Sequence, residues 1–238
     1  IFIFPQEESA EQLLQTTIDL VETGSIGLLI IDLLATLVSK QAYEKSLEEK
    51  TYCGIAAPLT TWTSKILPML TKYDCTVICI NQERDVLNSM FPTTNTPGGK
   101  AFKFGCHVRL SLRKGRYLDS NYKEIPNNSE SNFGQMTEVQ VIKNKLTKPD
   151  RKLCKFTITF DNGIDYWNDI FNLGVSLGVI DKSGAWYSIV DKETGEIKKG
   201  NDGTLLKFQG KSNFLEYMHN NEDFTQELNN EVLVKIEE

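Results

Sequence analysis

Asp32, Gln82, the pair Gly98 and Gly99, and the lysines Lys143 and Lys145 are the residues of this chain whose types and positions could do chemistry. Asp32 closes the apolar run IGLLIID. In an α/β sheet the carboxyl ends of the strands are where ligands bind, and a carboxylate there can hold magnesium through its water shell. Four apolar residues followed by Asp is also a common way for a strand to end. Gln82 closes the next apolar run, CTVICIN. An amide both donates and accepts, so it could bond a terminal phosphate and pass that contact to the next segment of chain; it could equally cap neighbouring backbone groups. That next segment is a long polar loop ending on Gly98 and Gly99, with Lys100, Lys103 and Arg109 just beyond. Two glycines let backbone approach a ligand and offer N–H groups to phosphate, and a plain turn would use them too. In VQVIKNK, Lys143 and Lys145 are one residue apart, which on a strand puts both on one face, able to meet one polyphosphate. Lysines guarding an exposed strand edge would read the same.

The elements that must position these residues alternate. SAEQLLQTTIDLVETG is expected to be a helix, with Ser9 as N-cap, Gln12 completing a capping box, Leu14, Ile18 and Val21 on one face, and Gly24 as the stop. IGLLIID suits a strand covered on both faces. Ile55, Leu59, Trp62, Ile66 and Met69 recur at helical spacing, with Pro68 expected to kink or shorten the helix end. With IFIF at the start read as the end of a strand that something precedes, the first part is strand, helix, strand, helix, strand.

The pattern then changes. GCHVRLSLR, TEVQVIKNK and KFTITFD alternate apolar and polar residues as antiparallel strands do, and RYLDSNYKEIPNNSESNFGQ reads as a mobile connection. A compact α/β module is expected from Gly163: a helix around YWNDIFNLGVSLGVI, a hairpin in GAWYSIVDKETGEIKKG, and an acidic helical tail. The implied domains are residues 1–162 and 163–238.

With 40% hydrophobic and 24% charged residues the chain can bury one good core and a small second one. No apolar run reaches the roughly 18 residues of a membrane span, and no cleavable leader pattern is present, so no membrane partner and a cytoplasmic home are expected. Cys53, Cys75, Cys79, Cys106 and Cys154 lack ligand spacing and read as reduced, buried core thiols. Net charge is −6, yet residues 100–155 hold 13 Lys/Arg against 5 Asp/Glu, or +8, which leaves −14 elsewhere. A basic middle can bind a polyanion or form a solvated face.

LLIIDLLATLVSK, ICINQERDVLNSMFPTTNTPGGKAFKFGCHVRLSLRKGR, VQVIKNKLTKP and NLGVSLGVIDKSGAWYS resemble, in that order, successive segments of the RecA recombinase family. The resemblance implies a RecA-like α/β ATPase core, with a parallel sheet, crossover helices and antiparallel strands, followed by a small α/β C-terminal domain. It implies ATP and Mg2+ as cofactors. Single-stranded DNA, homologous double-stranded DNA and further copies of the protein in a filament would be partners. Asp32 would be the acidic residue of the Walker B strand and Gln82 the sensor of the γ-phosphate. Residues 83–99 would form the second DNA-binding loop and residues 44–53 the first. Lys143 and Lys145 would reach ATP held by the neighbouring subunit. Lys65, Arg84, Gly98, Gly99, Lys100, Arg109, Arg113 and Lys114 would serve DNA binding or subunit contact, and Phe104 the filament interface.

The chain also departs from the family. Pro58 stands where an arginine is usual, Leu33 replaces a small hydroxyl residue, Glu83 puts a negative charge beside the sensor, and the hairpin near Thr194 to Gly200 is long. These departures point to a divergent member, of a kind a phage could encode. No GxxxxGK[ST] occurs in the 238 residues, so the phosphate-cradling loop is expected from a longer protein or another polypeptide, and this chain alone is expected not to hydrolyse ATP. The leading expectation is a DNA-dependent ATPase that promotes strand exchange on single-stranded DNA. A non-enzymatic DNA-binding or filament-modulating partner is the alternative, and a ring helicase is a third possibility that the GAWYS segment disfavours.

Overall fold

The computed structural model describes residues 9–46, 54–85, 94–126, 133–148, 153–191 and 194–237. IFIF, most of the first expected DNA loop and the centre of the second lie outside the described residues, as does Cys53. Two compact units divide the chain, Ile1–His107 and Val108–Glu238.

In the first unit, α1 (Ala10–Glu22) begins on Ser9, whose hydroxyl faces the Gln12 N–H while the Gln12 side chain returns to the Ser9 backbone. This is the expected capping box, and Gly24 takes the left-handed conformation just past the helix. β1 (Leu28–Ile31) runs parallel to β2 (Thr76–Cys79), and the crossover between them carries a 3-10 turn (Leu34–Thr36), α2 (Lys40–Tyr43) and α3 (Ala56–Lys72). Leu14, Ile18 and Val21 of α1 meet Leu59, Trp62 and Ile66 of α3 in one buried cluster, and the Trp62 indole N–H donates to Thr17 Oγ1 at 2.9 Å. Pro68 does not shorten α3, which continues to Lys72. A proline removes one backbone donor, and Met69 and Leu70 beyond it are held by packing on the same cluster.

The expectation that β1 is covered on both faces is corrected. Leu29, Ile31, Val77 and Cys79 pack on the core, whereas Leu28, Ile30, Ile78 and Ile80 are 43–55% exposed. Successive strand residues point to opposite faces, so helices on one side leave the alternate apolar set open.

After β2 the chain forms β3 (Arg84–Asp85), which pairs antiparallel with β4 (Thr94–Asn95), then α4 (Gly99–Gly105). The second unit opens with a five-stranded antiparallel sheet in the order β6-β5-β7-β8-β9: β5 (Val108–Leu118), β6 (Glu124–Ile125), β7 (Gly134–Asn144), β8 (Leu153–Thr159) and β9 (Gly163–Ile164). The connection expected to be mobile is built structure in its described part. β5 runs through a register shift to Leu118, and Asp119 Oδ1 accepts from the N–H groups of Asn121 and Lys123 to close a turn. Residues 127–132 lie outside the described residues.

The C-terminal module comprises α5 (Tyr166–Ser176), β10 (Asp181–Ser183), β11 (Trp186–Ser188), β12 (Lys207–Gln209), α6 (Lys211–Asn220) and α7 (Glu222–Glu237). Ile170, Phe171, Phe214, Met218, Leu228 and Val232 form its core. GAWYS does not lead a simple hairpin: β11 is the centre of a three-stranded sheet between β10 and β12, and the expected hairpin is confined to the arms 189–191 and 196–198, joined by the Val190–Ile197 bridge and by backbone bonds from Asp191 N–H to Glu196 O and from Lys198 N–H to Ile189 O. The thiols also differ from expectation. Cys75 is buried and Cys79 and Cys106 are half-buried, but Cys154 is exposed on β8. Burial pushes the Cys79 thiol up to about 12, with Cys106 adding to it, so it stays protonated.

Candidate functional site

The parallel register of β1 and β2 places Ile31 opposite Cys79, so both strands finish at one edge. The ladder continues past the strand ends: Ile80 N–H donates to Ile31 O and Leu34 N–H to Ile80 O, both at 2.9 Å. Asp32 leaves this edge as an exposed carboxylate and Gln82 as an exposed amide. These two expected site residues are therefore brought to the same end of adjacent strands, the end at which α/β sheets bind ligands.

Between Gln82 and Gly98 the loop is closed at its base by side chains. Asn81 Nδ2 donates to Pro97 O at 2.9 Å, while Asn81 Oδ1 accepts from the Gln82 N–H at 3.0 Å. Thr94 Oγ1 donates to Glu83 Oε2 at 3.0 Å, and the Lys103 ammonium donates to Asn95 Oδ1. Glu83, a departure from the family pattern, is thus engaged across the loop base. Asn81 was missed by sequence reasoning, although its place beside Gln82 was visible in INQ.

Gly98 and Gly99 have φ values of +109° and +74° at the entry to α4. A Cβ on Gly98 would lie 3.0 Å from Leu59 Cδ1 and 3.3 Å from the Phe102 ring, and one on Gly99 would lie 3.4 Å from Ala56 Cβ. Close packing on α3 and positive φ together account for the pair. Lys65 on α3 and Lys100 on α4 are exposed, and Phe104 is 71% exposed on α4.

Arg84 has its guanidinium Nη2 2.7 Å from Ala35 O, in the turn after Asp32. The other expected basic residues stand in the second unit. Arg109 on β5 pairs directly with Lys143 on β7, and Arg113 pairs with Glu138, which holds Lys155 in an ion pair at 2.5 Å. The Lys114 ammonium donates to the Tyr117 hydroxyl and lies 4.2 Å from the centre of that ring.

The strand argument for KNK holds for Lys143 alone. β7 ends at Asn144, whose Oδ1 accepts from the Leu146 N–H at 2.8 Å, and Lys145 lies in the resulting turn. An Asn side chain that takes over the backbone donors ends a strand in this way. Nor is β7 an edge strand: among the described residues it is paired with both β5 and β8 as far as Gln140, and with β5 from Val141 to Asn144.

A second polar group was invisible in sequence because its members are far apart. Asp165 caps α5 by accepting from the Asn168 N–H, and its other oxygen accepts from the Tyr122 hydroxyl at 2.7 Å. Buried Asn168 donates to Thr157 Oγ1, and Lys211 Nζ donates to Asn172 Oδ1 while lying 4.4 Å from the Tyr122 ring centre. Burial pulls the Lys211 ammonium down to about 8 against the attraction of Asp165 and Asp169. Burial, aided by Asp165, lifts the Asp169 carboxyl to about 6.

Two family models match this chain: the RecA N-terminal domain over residues 2–165 and the RecA C-terminal domain over residues 168–205. Among curated proteins, Protein RecA of Bordetella petrii is 35% identical over 233 residues, 97% of this chain and 58% of that protein. Protein RecA of Ureaplasma parvum serovar 3 is 30% identical over 206 residues, 86% of this chain and 59% of that protein. Protein RecA of Bordetella pertussis is 33% identical over 233 residues, 97% and 59% respectively. The chain spans 58–59% of the length of these relatives.

Proposed function

The chain belongs to the RecA family, and from that membership we propose that it is part of a recombination protein whose binding of single-stranded DNA responds to ATP. In this reading the complete protein forms a filament, pairs its strand with homologous double-stranded DNA and acts as a DNA-dependent ATPase in the cytoplasm. Among the described residues, no helix is long and apolar enough to cross a membrane.

The observation that carries the reading is the common edge of β1 and β2, where Asp32 follows β1 directly, Gln82 lies three residues beyond β2, and Gln82 leads into the closed loop base. The described residues contain no cluster of three acidic, His or Cys side chains able to cage an ion. Magnesium typically keeps several waters and takes one or two protein carboxylates together with substrate phosphates, so a lone exposed Asp32 suits Mg2+ brought with a nucleotide. Bound there, the ion would offset charge on the phosphate oxygens. Asp32 would hold it through a water, and Gln82 would donate its amide N–H to the terminal phosphate. Because the Gln82 backbone N–H already rests on Asn81, and Asn81 holds Pro97, a shift of Gln82 would reach both ends of the loop base.

The remaining roles are proposals on the same footing. Lys143 and Lys145 would contact ATP across a subunit interface that includes Phe104. Lys65, Gly98, Gly99, Lys100, Arg109, Arg113 and Lys114 would serve DNA binding or subunit contact. The division into residues 1–162 and 163–238 belongs to this reading, and the limits of the two family models, at 165 and 168, support it.

Gln82→Ala in the native full-length product tests the central link. DNA affinity without nucleotide should persist while the gain from a non-hydrolysable ATP analogue is lost; an undiminished gain would remove Gln82 from the mechanism. A second reading, a DNA-binding partner without ATPase activity, draws on the lack of GxxxxGK[ST] in these 238 residues. It predicts salt-sensitive binding that nucleotide does not alter.

A further inference from the structure

Arg84 makes a contact within the chain that the family resemblance does not imply. Its guanidinium is engaged with the Ala35 carbonyl, 49 residues earlier in the chain, at 2.7 Å. Ala35 sits inside the 3-10 turn Leu34–Thr36 that comes after Asp32, while the Arg84 backbone pairs with Asn95 in the ribbon at the base of the loop. Both ends of this contact are fixed by other bonds. Leu34 is fully buried and donates its N–H to Ile80 O, and the loop base is closed by Asn81, Glu83 and Lys103. A charged donor on a backbone carbonyl makes a strong directional bond, and the long arginine side chain spans two separately held segments.

We propose that Arg84 is a positioning residue, a strap through which the turn after Asp32 and the base of the loop move together. The proposal rests on the nucleotide-responsive DNA binding argued above. Occupancy of the strand ends displaces the Asp32 turn, and Arg84 carries that displacement to β3 and β4 alongside the Gln82 route. Coupling of this kind needs two elements with a shared physical link, and the Arg84 to Ala35 bond supplies one. The competing role, a direct contact to DNA phosphate, uses the same charge but makes different predictions.

Arg84 is exposed, so Arg84→Gln should fold normally. In the 238-residue chain, hydrogen exchange should quicken by about fivefold or more at both the 34–37 turn and residues 94–95, with α1 and α5 unchanged. Unchanged exchange at the turn would overturn the strap. In the native full-length product, Arg84→Gln should leave nucleotide-free affinity for oligothymidylate within about twofold and the salt slope intact. The gain from a non-hydrolysable ATP analogue should fall by about tenfold. An equal loss of affinity with and without the analogue, with a salt slope smaller by about one ion, would identify a phosphate contact instead and overturn the proposal. If the unsubstituted product shows no gain from the analogue, the nucleotide-responsive reading fails, and with it the coupling role; the exchange result then decides whether the tie itself exists.

Discussion

Arg109 on β5 and Lys143 on β7 are direct cross-strand partners, so two cations face each other on neighbouring strands just before β7 ends. Like charges placed opposite in a sheet cost stability, on the order of 0.2–1 kcal/mol. The proposed contact of Lys143 with ATP would offset part of that cost.

The first prediction concerns these lysines. Lys143→Glu with Lys145→Glu should abolish ATP-stimulated DNA binding in the native full-length product. With Lys145 exposed and Lys143 half-buried, the fold should change in stability by about 1 kcal/mol. Thermal melts and fluorescence anisotropy measure the two effects; retained stimulation would exclude both lysines from the nucleotide contact.

The glycine pair separates packing from ligand binding. Gly98→Ala should destabilise the fold by about 1–3 kcal/mol, because its φ of +109° strains any residue with a Cβ and the added methyl group would press on Leu59 Cδ1 at 3.0 Å. Gly99→Ala, with 3.4 Å to Ala56, should cost less. Urea unfolding of the two variants gives the order directly.

Asp169 predicts a pH dependence of defined sign. Its folded pKa is raised from 3.8 to about 6, so the folded state binds the proton more tightly than the unfolded chain. The resulting stability is fully present below about pH 3.8 and is lost as pH rises through about 6. Asp169→Asn should flatten the fall in the urea midpoint between pH 4 and 6.5. With Asp169 half-exposed, the effect after solvent screening should be about 1 kcal/mol. An unaltered slope would place the titration elsewhere.

Asn168 should matter more than its polarity implies. It is 1% exposed, donates to Thr157 and accepts from Asn172, so Asn168→Leu would leave partners unsatisfied in the interior. A loss of about 1–3 kcal/mol is expected by chemical denaturation.

Much of this was legible in sequence because it is local. The capping box at Ser9, the apolar stripe of α3 and the alternation in β5, β7 and β8 depend on neighbours within a few residues, and the structure carries them. Asp32 was visible as a strand end for the same reason, whereas Gln82 lies three residues past the end of β2. The features that escaped depend on distant partners. Nothing near Arg84 announces Ala35, and nothing near Tyr122 announces Asp165, 43 residues on. The open face of β1 was misread because Leu28 and Ile30 are as apolar as the core residues that alternate with them, and composition does not say which face is covered. Lys145 was misplaced on a strand because the turn set by the Asn144 side chain interrupts the pattern.

The account stands or falls on whether nucleotide controls DNA binding. The most direct measurement is anisotropy of labelled oligothymidylate with the native full-length product, titrated across salt, with and without a non-hydrolysable ATP analogue. Binding should tighten by tenfold or more with the analogue, about 1.4 kcal/mol, and Gln82→Ala should erase the difference. Salt-sensitive binding of equal strength in both conditions would contradict the account and favour a nucleotide-independent DNA-binding partner.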